Sequence, residues 1–274
     1  PAGQAEPAEG GYLLTGRWPF CSGIDHSEWI MLGATIAGAG SDGAPEPRMF
    51  LVAVDDVDVI DTWDVMGLKA TGSKDARCDG LFVADYLTLA GNAARGGVTP
   101  GGTVNPGALF RQSVAGLFPH LIASVLVGVA RGTWDLCVES MRERGARQTG
   151  RKIAELVPVQ LKIAESGTQI DAARALLYAN FAESDRFAEA GEAPPVETKL
   201  RWRRDGAHIA RLASDAAHGL HQTMGAAGIY GSNHLQRHIR DMTVGMTHAH
   251  ISWQINAPAY GRVALGLETD NPLI

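Results

Sequence analysis

The sequence lacks an excess of positive charge and a usable set of cysteines. Its 274 residues carry 24 Lys and Arg against 30 Asp and Glu, which gives a formal net charge of -6. A chain that binds nucleic acid mainly through its phosphates carries a basic excess, so this role is disfavoured. Cys21, Cys78 and Cys137 are odd in number and far apart, so they form neither a disulfide framework nor a metal site. Free cysteines fit a reducing compartment, and we expect a cytoplasmic protein.

The sequence also has no long apolar run. The longest one, Leu121–Ala130, lies between His120 and Arg131 and is shorter than the roughly 20 residues that span a bilayer. We therefore expect no membrane partner. Hydrophobic residues make up 45 % and charged residues 20 % of the chain, which is typical of a folded globular protein. At roughly 150 residues per domain, the length predicts one large domain or two modest ones.

The composition changes near residue 91 and divides the chain. Before this point, short apolar runs rich in Val, Ile and aromatic residues alternate with Gly, Pro and Asp. These runs are Tyr12–Leu14, Trp29–Ile36, Met49–Val54, Val57–Ile60 and Gly80–Val83. The pattern predicts an antiparallel β-barrel or sandwich over residues 1–91. Residues 92–107 are rich in Gly and Pro and are interpreted as a linker.

Beyond the linker, long stretches follow a helical period. They cover residues 111–144, 153–190, 196–224 and 234–266. In the second stretch, Pro158 fits the first turn of a helix and Gly191 fits its end. Four long helices with short connections predict a four-helix bundle over residues 108–274. The expected fold class is therefore α+β.

Two motifs have simpler explanations than the functions they resemble. Gly38–Gly43 matches the dinucleotide fingerprint G-x-G-x-x-G, but Ala44-Pro45-Glu46-Pro47 follows where a helix should begin. We interpret it as a hairpin loop, in which Gly supplies positive φ. The basic run Lys199–Arg204 is either a phosphate-binding site or, as is more common for such runs, the solvated face of a helix.

Histidine is concentrated late in the chain, with seven of the nine between residues 208 and 250. His234 and His238 would share one helical face. However, no H-E-x-x-H motif and no cysteine accompany them, so a metal site is disfavoured. We interpret most of these histidines as packing or surface residues and expect one or two to perform acid–base chemistry near neutral pH.

Four segments together carry a specific resemblance. They are Gly16-Arg17-Trp18-Pro19-Phe20-Cys21-Ser22-Gly23-Ile24-Asp25-His26, Met66–Ser73, Gln222–Tyr230 and Arg240-Asp241. In order and spacing they resemble the acyl-CoA dehydrogenase superfamily. The first segment resembles its branch of two-component flavin-dependent monooxygenases, which includes the oxygenase component of 4-hydroxyphenylacetate hydroxylase and the aromatic hydroxylase of steroid degradation. Members begin with a helical domain for which this sequence shows no counterpart.

The resemblance also implies a reaction. Where dehydrogenases of the superfamily place a proton-abstracting Glu, this chain has Ala249, which cannot accept a proton. The monooxygenase branch uses reduced flavin (FMNH2 or FADH2) and O2 to hydroxylate a phenolic substrate through a flavin C4a-hydroperoxide. The resemblance also implies a separate flavin reductase that supplies the reduced flavin, in keeping with the lack of an evident nicotinamide site. N-oxygenation of an amine or amino sugar, a flavin dehydrogenase with a base elsewhere, and a non-catalytic assembly module remain as alternatives.

The same resemblance assigns the catalytic residues. His248 falls near the flavin C4a position, where it would donate a proton or hydrogen bond to the peroxide. Ser22 would lie near flavin N5 and slow the loss of peroxide from a site that excludes water. Trp18 and Phe20 would pack on the ring system, with Cys21 in the same cofactor-binding loop. The alternative is that the two aromatics are barrel core and that Ser22 is a turn residue.

Further cofactor contacts are implied in the helical half. Gln222, Gly225 and Ala226 would meet the flavin of a neighbouring subunit, since Gly turns let main-chain amides approach a phosphate. Arg147 would reach the cofactor phosphate, or else is a surface charge. A site shared between subunits implies a homo-oligomer, expected to be a tetramer.

Overall fold

The structure is a computed structural model that describes residues 2–40, 43–91, 100–145, 150 and 152–269. The described residues form two compact units. The first comprises residues up to Val65 and from Lys69 to 91, and the second comprises Met66–Leu68 and the chain from 100 onward. The three-residue segment Met66–Leu68 thus leaves the first unit and belongs with the second.

The first unit is a seven-stranded sheet. Its strands are β1 (Gly3–Ala8), β2 (Gly11–Cys21), β3 (Trp29–Ile36), β4 (Glu46–Ala53), β5 (Asp58–Ile60), β6 (Lys74–Ala84) and β7 (Thr88–Ala90), in the order β5-β6-β2-β1-β3-β4-β7. Apolar side chains alternate along the strands, as in β3, which buries Leu32, Ala34 and Ile36. This period of two places one side of each strand in the core.

The prediction of a purely antiparallel sheet is wrong at one pairing. The strand β1 pairs antiparallel with β2 on one side but parallel with β3 on the other. The sheet is mixed because β1 lies between β2 and β3, which both follow it in the chain. The Gly-rich segment Gly38–Gly43 lies between β3 and β4, which pair antiparallel, as a hairpin loop requires. Ser41 and Asp42 of this segment lie outside the described residues.

The second unit is helical. It contains α1 (Pro100–Val104), α2 (Val114–Glu143), α3 (Val157–Ala190), α4 (Val196–Met224), α5 (His234–Gly245) and α6 (Trp253–Ala264). The first three long stretches predicted as helices correspond to α2, α3 and α4. In α3, Pro158 lies in the first turn, and Gly191 ends the helix with a φ of 71°. The α+β fold class is confirmed.

The fourth predicted stretch is two helices rather than one. After α5 ends at Gly245, a 3₁₀ turn at Ala249–Ile251 precedes α6. The Ser252 main chain is extended, with a ψ of 122°, which interrupts the helical hydrogen bonding. The interruption places His248 in a turn between helices.

The core of the helical unit lies between α2, α3 and α4. Small residues of α4, such as Ala210 and Ala213, are fully buried and allow close approach of neighbouring helices. The helix α2 is long and apolar enough to cross a bilayer by length and composition, which Leu121–Ala130 alone is not. This is weak evidence for a membrane span, because a core helix meets the same criterion and α2 buries Ala123 and Leu126.

The basic run Lys199–Arg204 is not a solvated helix face. Leu200 and Trp202 are fully buried, and Arg203 is 1 % exposed. Sequence pattern alone could not show this, because the covering residues come from other helices. The charges of the run contribute to hydrogen bonds inside the helical unit rather than to a basic surface.

Candidate active site

Trp18 anchors the irregular end of β2, where the pairing with β6 shifts in register between Trp18 and Cys21. Residues 18–23, which comprise this end and the turn after it, are called the loop below. The Trp18 indole Nε1 donates to the Gly33 carbonyl at 2.7 Å, and the ring lies in the sheet core. A Cβ on Gly3 would lie 2.3 Å from the indole, so the ring needs glycine on the neighbouring strand. The structure therefore places Trp18 among the core residues, and its direct contribution is to fix the rest of this loop.

Phe20 is the exposed aromatic residue of this loop, whereas Trp18 is buried. Its side chain is 72 % exposed and contacts the Trp63 ring edge-on at 6.1 Å between centroids. Its main chain has a φ of 60°, which is unusual for a residue with a side chain. Because the Ser22 amide donates to the Phe20 carbonyl at 2.9 Å, the loop turns sharply at this point. Backbone strain of this kind is found at binding sites.

Ser22 belongs to a row of three hydroxyl groups. Its exposed Oγ lies 2.8 Å from Oγ of the buried Ser73, which lies 2.6 Å from Thr71 Oγ1. The Gly23 amide also donates to the Thr71 carbonyl at 2.7 Å. The loop is thus braced by residues just before β6. The family resemblance includes the segment Met66–Ser73 but assigns no site role to Ser73 or Thr71. The Thr-Gly-Ser sequence in that segment was the available signal.

A cavity of about 350 Å³ lies beside this loop, and Trp18, Phe20, Cys21 and Ser22 all contribute to its lining. Trp29 of β3 also lines it and is 51 % exposed. Sequence reasoning treated Trp29 only as part of a strand. Aromatic walls with a hydroxyl at the edge fit a flat heteroaromatic ring whose rim forms hydrogen bonds.

Cys21 is a poor nucleophile in this loop. Its Sγ donates to the Trp18 carbonyl at 3.3 Å. Burial raises the pKa of the Cys21 thiol, a main-chain hydrogen bond from Ala76 opposes this effect, and Asp75 adds to it. A raised pKa keeps the sulfur protonated near neutral pH. The geometry thus gives Cys21 a part in the loop without a chemical role of its own.

His248 lies in the turn between α5 and α6. Its Nδ1 accepts the main-chain N–H of His250 at 3.3 Å, so the proton of a neutral ring resides on Nε2. Burial lowers the pKa of His248, which favours the neutral ring near pH 7. A neutral ring in this tautomer carries a donor at Nε2, and the catalytic role of His248 stays a prediction.

Three rings cluster at this turn. The Phe118 ring of α2 lies 4.5 Å from His250 and 6.4 Å from His248, and the two imidazoles are 5.5 Å apart. Burial, then the charge of Arg203 and that of His248, lower the pKa of His250 to about 4. Residues 246–252 of this turn include no Asp or Glu, and Ala249 lies between the two histidines.

A second cavity, of about 850 Å³, lies in the helical unit beside the 3₁₀ turn Gly225–Ile229. Ala226 lines it together with Arg144, Glu139 and Glu143. Gly225, the first residue of this turn, and Gln222, in the last turn of α4, are exposed. The arginine of the lining is suited to a phosphate, whereas the two glutamates lower the positive potential. Arg147 lies outside the described residues.

The Arg240-Asp241 pair holds the segment Met66–Leu68 against α5. Asp241 Oδ1 accepts the Leu68 amide at 2.6 Å, and the Arg240 guanidinium donates to the Met66 carbonyl. A Cβ on Gly67 would lie 2.3 Å from the Arg240 carbonyl oxygen. Two of the quoted segments therefore contact each other, and their motif residues serve a structural function.

The other histidines form separate contacts. His238 Nδ1 lies 3.2 Å from Thr133 Oγ1, and His221 Nε2 lies 3.2 Å from the Gly228 carbonyl. Within the described ranges, no group of three or more His, Cys, Asp or Glu side chains is arranged to hold a metal ion.

Comparison with known proteins places these features in a family. Residues 120–253 match the model of the acyl-CoA dehydrogenase C-terminal domain. A pigment production hydroxylase of Rhodococcus sp. is 30 % identical over 276 residues, covering 100 % of this chain and 70 % of the relative. The oxygenase component of an FADH2-dependent resorcinol hydroxylase of Rhizobium sp. is 32 % identical over 277 residues, covering 98 % and 68 %.

A solved structure agrees in fold. XiaF from Streptomyces sp., in complex with FADH2 and glycerol, superposes with a TM-score of 0.89 at 29 % identity and covers 99 % of this chain and 68 % of its own. The sheet, the helical unit and the sequence matches point to one conclusion. The chain belongs to the flavin-dependent monooxygenases of the acyl-CoA dehydrogenase superfamily.

Proposed function

We propose that this chain is the oxygenase component of a two-component system and hydroxylates a phenolic ring with reduced flavin and O2. The observation that supports the proposal is the turn at His248, where Nδ1 accepts a main-chain N–H and a neutral ring therefore carries its proton on Nε2. The superfamily resemblance places Ala249, beside it, at the position of the carboxylate base. The similarity to an aromatic hydroxylase, the resorcinol enzyme, over 98 % of the chain supports an aromatic substrate.

When bound, reduced flavin supplies two electrons to O2, so that one oxygen atom enters a substrate C–H bond and the other leaves as water. His248, with its proton on Nε2, would donate to an oxygen atom of the reacting O2 and stabilise negative charge there. The Ser22 hydroxyl, held by Ser73 and Thr71, would form a hydrogen bond with the polar edge of the cofactor ring. Phe20 and Trp29 would cover apolar ring surface and exclude water.

We further propose how the cofactor is held and renewed. The loop Trp18–Gly23 would contact the ring, and Gln222, Gly225 and Ala226 would contact a flavin bound by a neighbouring copy. Arg147 would reach the cofactor phosphate. This arrangement requires a homo-oligomer, for which we propose a tetramer. A separate reductase supplies FADH2 or FMNH2, in keeping with the names of oxygenase components among the relatives.

The test mixes anaerobic chain, reduced flavin and a phenol panel with oxygenated buffer. FADH2 and FMNH2 are used in separate arms. We expect a hydroxylated phenol and less hydrogen peroxide than free flavin releases. The proposal fails if bound reduced flavin is oxidised with every tested phenol unchanged and all of its electrons appear as hydrogen peroxide.

The His248→Ala variant identifies the catalytic residue. We expect product per flavin to fall by about 10² to 10⁴, the usual contribution of an acid–base group, with flavin affinity retained. His26→Ala is the matched control, since His26 is exposed in the sheet unit. If His248→Ala hydroxylates as well as the unchanged chain, the catalytic assignment is wrong even where the family assignment stands.

A further inference from the structure

Arg203 is a buried cation whose hydrogen bonds are made to neutral groups. Its side chain is 1 % exposed, its Nε donates to Asn256 Oδ1 at 3.1 Å, and its Nη1 donates to the Ala115 carbonyl at 2.6 Å. Removing a guanidinium from water costs several kcal/mol unless it gains strong partners. Burial lowers the pKa of Arg203, because desolvation disfavours the charged form. An apolar residue at this position would cost less free energy to bury, so the presence of a buried arginine needs a physical reason.

Asn256 links this cation to the turn that carries His248. The Asn256 side chain is 1 % exposed, and all of its polar atoms are used. Its Oδ1 accepts from Arg203, while its Nδ2 donates to the His250 carbonyl at 2.9 Å and to the Ser252 carbonyl at 2.8 Å. One amide therefore fixes both ends of the short segment from His250 to Ser252.

The geometry of His248 depends on that segment. The main-chain N–H of His250 donates to His248 Nδ1, and this bond fixes the tautomer that exposes Nε2–H. If the 250–252 segment rotated, the N–H would leave Nδ1 and the proton could occupy either ring nitrogen. Arg203 and Asn256 thus act on the ring through the main chain, without contact with it.

We propose that Arg203 and Asn256 are positioning residues: the buried guanidinium orients the Asn256 amide, which holds the turn so that His248 presents Nε2–H. The catalytic consequence rests on the proposed function, whereas the control of the tautomer does not. Arg203 belongs to the basic run Lys199–Arg204, for which the sequence allowed two interpretations, a phosphate-binding site or a solvated helix face. The proposal gives the run a third role.

The first experiment measures the tautomer without flavin. In protein carrying ¹⁵N-labelled histidine, the His248 signals are assigned by loss in His248→Gln, and the Nδ1 and Nε2 shifts report where the proton resides. We expect the Nε2–H form in the unchanged chain. Asn256→Asp keeps the size and the acceptor but removes both amide donors, so it should give a mixture of tautomers. Asn105→Asp makes the same change at an exposed position and should leave His248 unaffected.

The second experiment measures hydroxylated product per reduced flavin consumed. Asn256→Asp should lower it by about 10- to 100-fold, as expected for a small displacement of a catalytic group, with flavin affinity unchanged. Arg203→Lys is used if Asn256→Asp fails to fold; it retains the charge but cannot donate to both acceptors in the same geometry. Arg174→Lys, on an exposed face of α3, is its control.

The outcomes separate the two proposals. A single Nε2–H tautomer in Asn256→Asp, or in Arg203→Lys where that variant replaces it, overturns the positioning role. An altered tautomer with full product yield overturns the catalytic consequence, while it supports control of the tautomer by these residues. If the unchanged chain makes no product with any phenol, the proposed function fails, and the ¹⁵N shifts alone then decide whether these residues hold the turn.

Discussion

Acid should destabilise the helical unit through His120, a histidine distant in sequence from the proposed catalytic turn. His120 is fully buried on α2, with Nε2 3.0 Å from Asn180 Nδ2. The same Asn180 amide donates to Asp205 Oδ2 at 3.1 Å. Burial lowers the pKa of His120 from 6.5 to about 4, with Asp205 opposing this effect and Arg201 adding to it. The folded state therefore holds the ring neutral over a pH range in which the unfolded chain protonates it.

The direction and size of the effect follow from this difference in pKa. Well above pH 6.5 neither state binds the proton, so the full stability is present. As the pH falls from 6.5 toward 4, the unfolded state binds the proton first and the free energy of unfolding decreases. At about 1.4 kcal/mol per pH unit, the loss reaches about 2 kcal/mol by pH 5 and about 3 kcal/mol in total.

The His120→Gln variant isolates this contribution. The glutamine Oε1 can accept from Asn180 as Nε2 does, but it does not titrate. Other histidines with lowered pKa, such as His238 and His250, also weaken the fold in acid, so only the difference from the unchanged chain is diagnostic. Urea unfolding followed by circular dichroism at pH 7 and pH 5 should show the unchanged chain losing about 2 kcal/mol more than the variant. His26→Gln is the exposed control. Equal losses in both chains would refute the reasoning.

Three further predictions concern the braced segments. Gly67→Ala places a Cβ 2.3 Å from a main-chain oxygen of α5, so it should lower the free energy of unfolding in urea by about 1–3 kcal/mol. Asp241→Ala removes the acceptor of the Leu68 amide and should lower the free energy of unfolding by about 1–3 kcal/mol. It should also speed proteolytic cleavage near Leu68, and an unchanged cleavage rate would contradict this role. Ser73→Ala breaks the hydroxyl row behind Ser22 and should raise hydrogen peroxide per flavin without changing the identity of the hydroxylated product.

Sequence rules for helix ends and strand patterns correctly predicted the elements whose bounds depend on neighbouring residues. Pro158 and Gly191 bound α3 as predicted, because a missing N–H is tolerated in the first turn and a φ of 71° suits glycine. The run Trp29–Ile36 is β3 without a change of bounds. In each case the residues concerned carry the signal themselves, so no knowledge of distant contacts was needed.

Features set by distant contacts were missed. The strand β1, Gly3–Ala8, contains Glu6 and Pro7 and shows no apolar run, so only its pairing with β2 and β3 makes it a strand. The end of α5 at Gly245 was missed because the apolar period continues through the turn that follows. Periodicity reports which face is apolar, but it does not report where the main chain leaves the helix.

The candidate site likewise contains residues that the sequence motifs identify and residues that only the folded structure brings to the site. The resemblance could nominate Ser22 and His248 because both stand at motif positions. It could not nominate Ser73, which lies 51 residues from Ser22 in sequence and 2.8 Å from it in space. It also assigned Trp18 to ring packing, which stays a prediction: Trp18 lines the cavity beside the loop, while its buried indole donates to Gly33 in the sheet core.

The polar residues buried on α4 explain how an alanine-rich helix keeps one orientation among its neighbours. Hydrophobic burial is non-directional, so a face of small apolar residues permits α4 to rotate or slide with little loss of contact. Directional bonds remove that freedom: Asp205 accepts from Asn180 of α3, and Arg203 donates to Ala115 of α2 and Asn256 of α6. Because these bonds reach three different helices, a rotation of α4 that preserves one of them breaks another. The cost of burying the charges is thus offset by a single arrangement of the helices, and that arrangement determines where the turn between α5 and α6 lies.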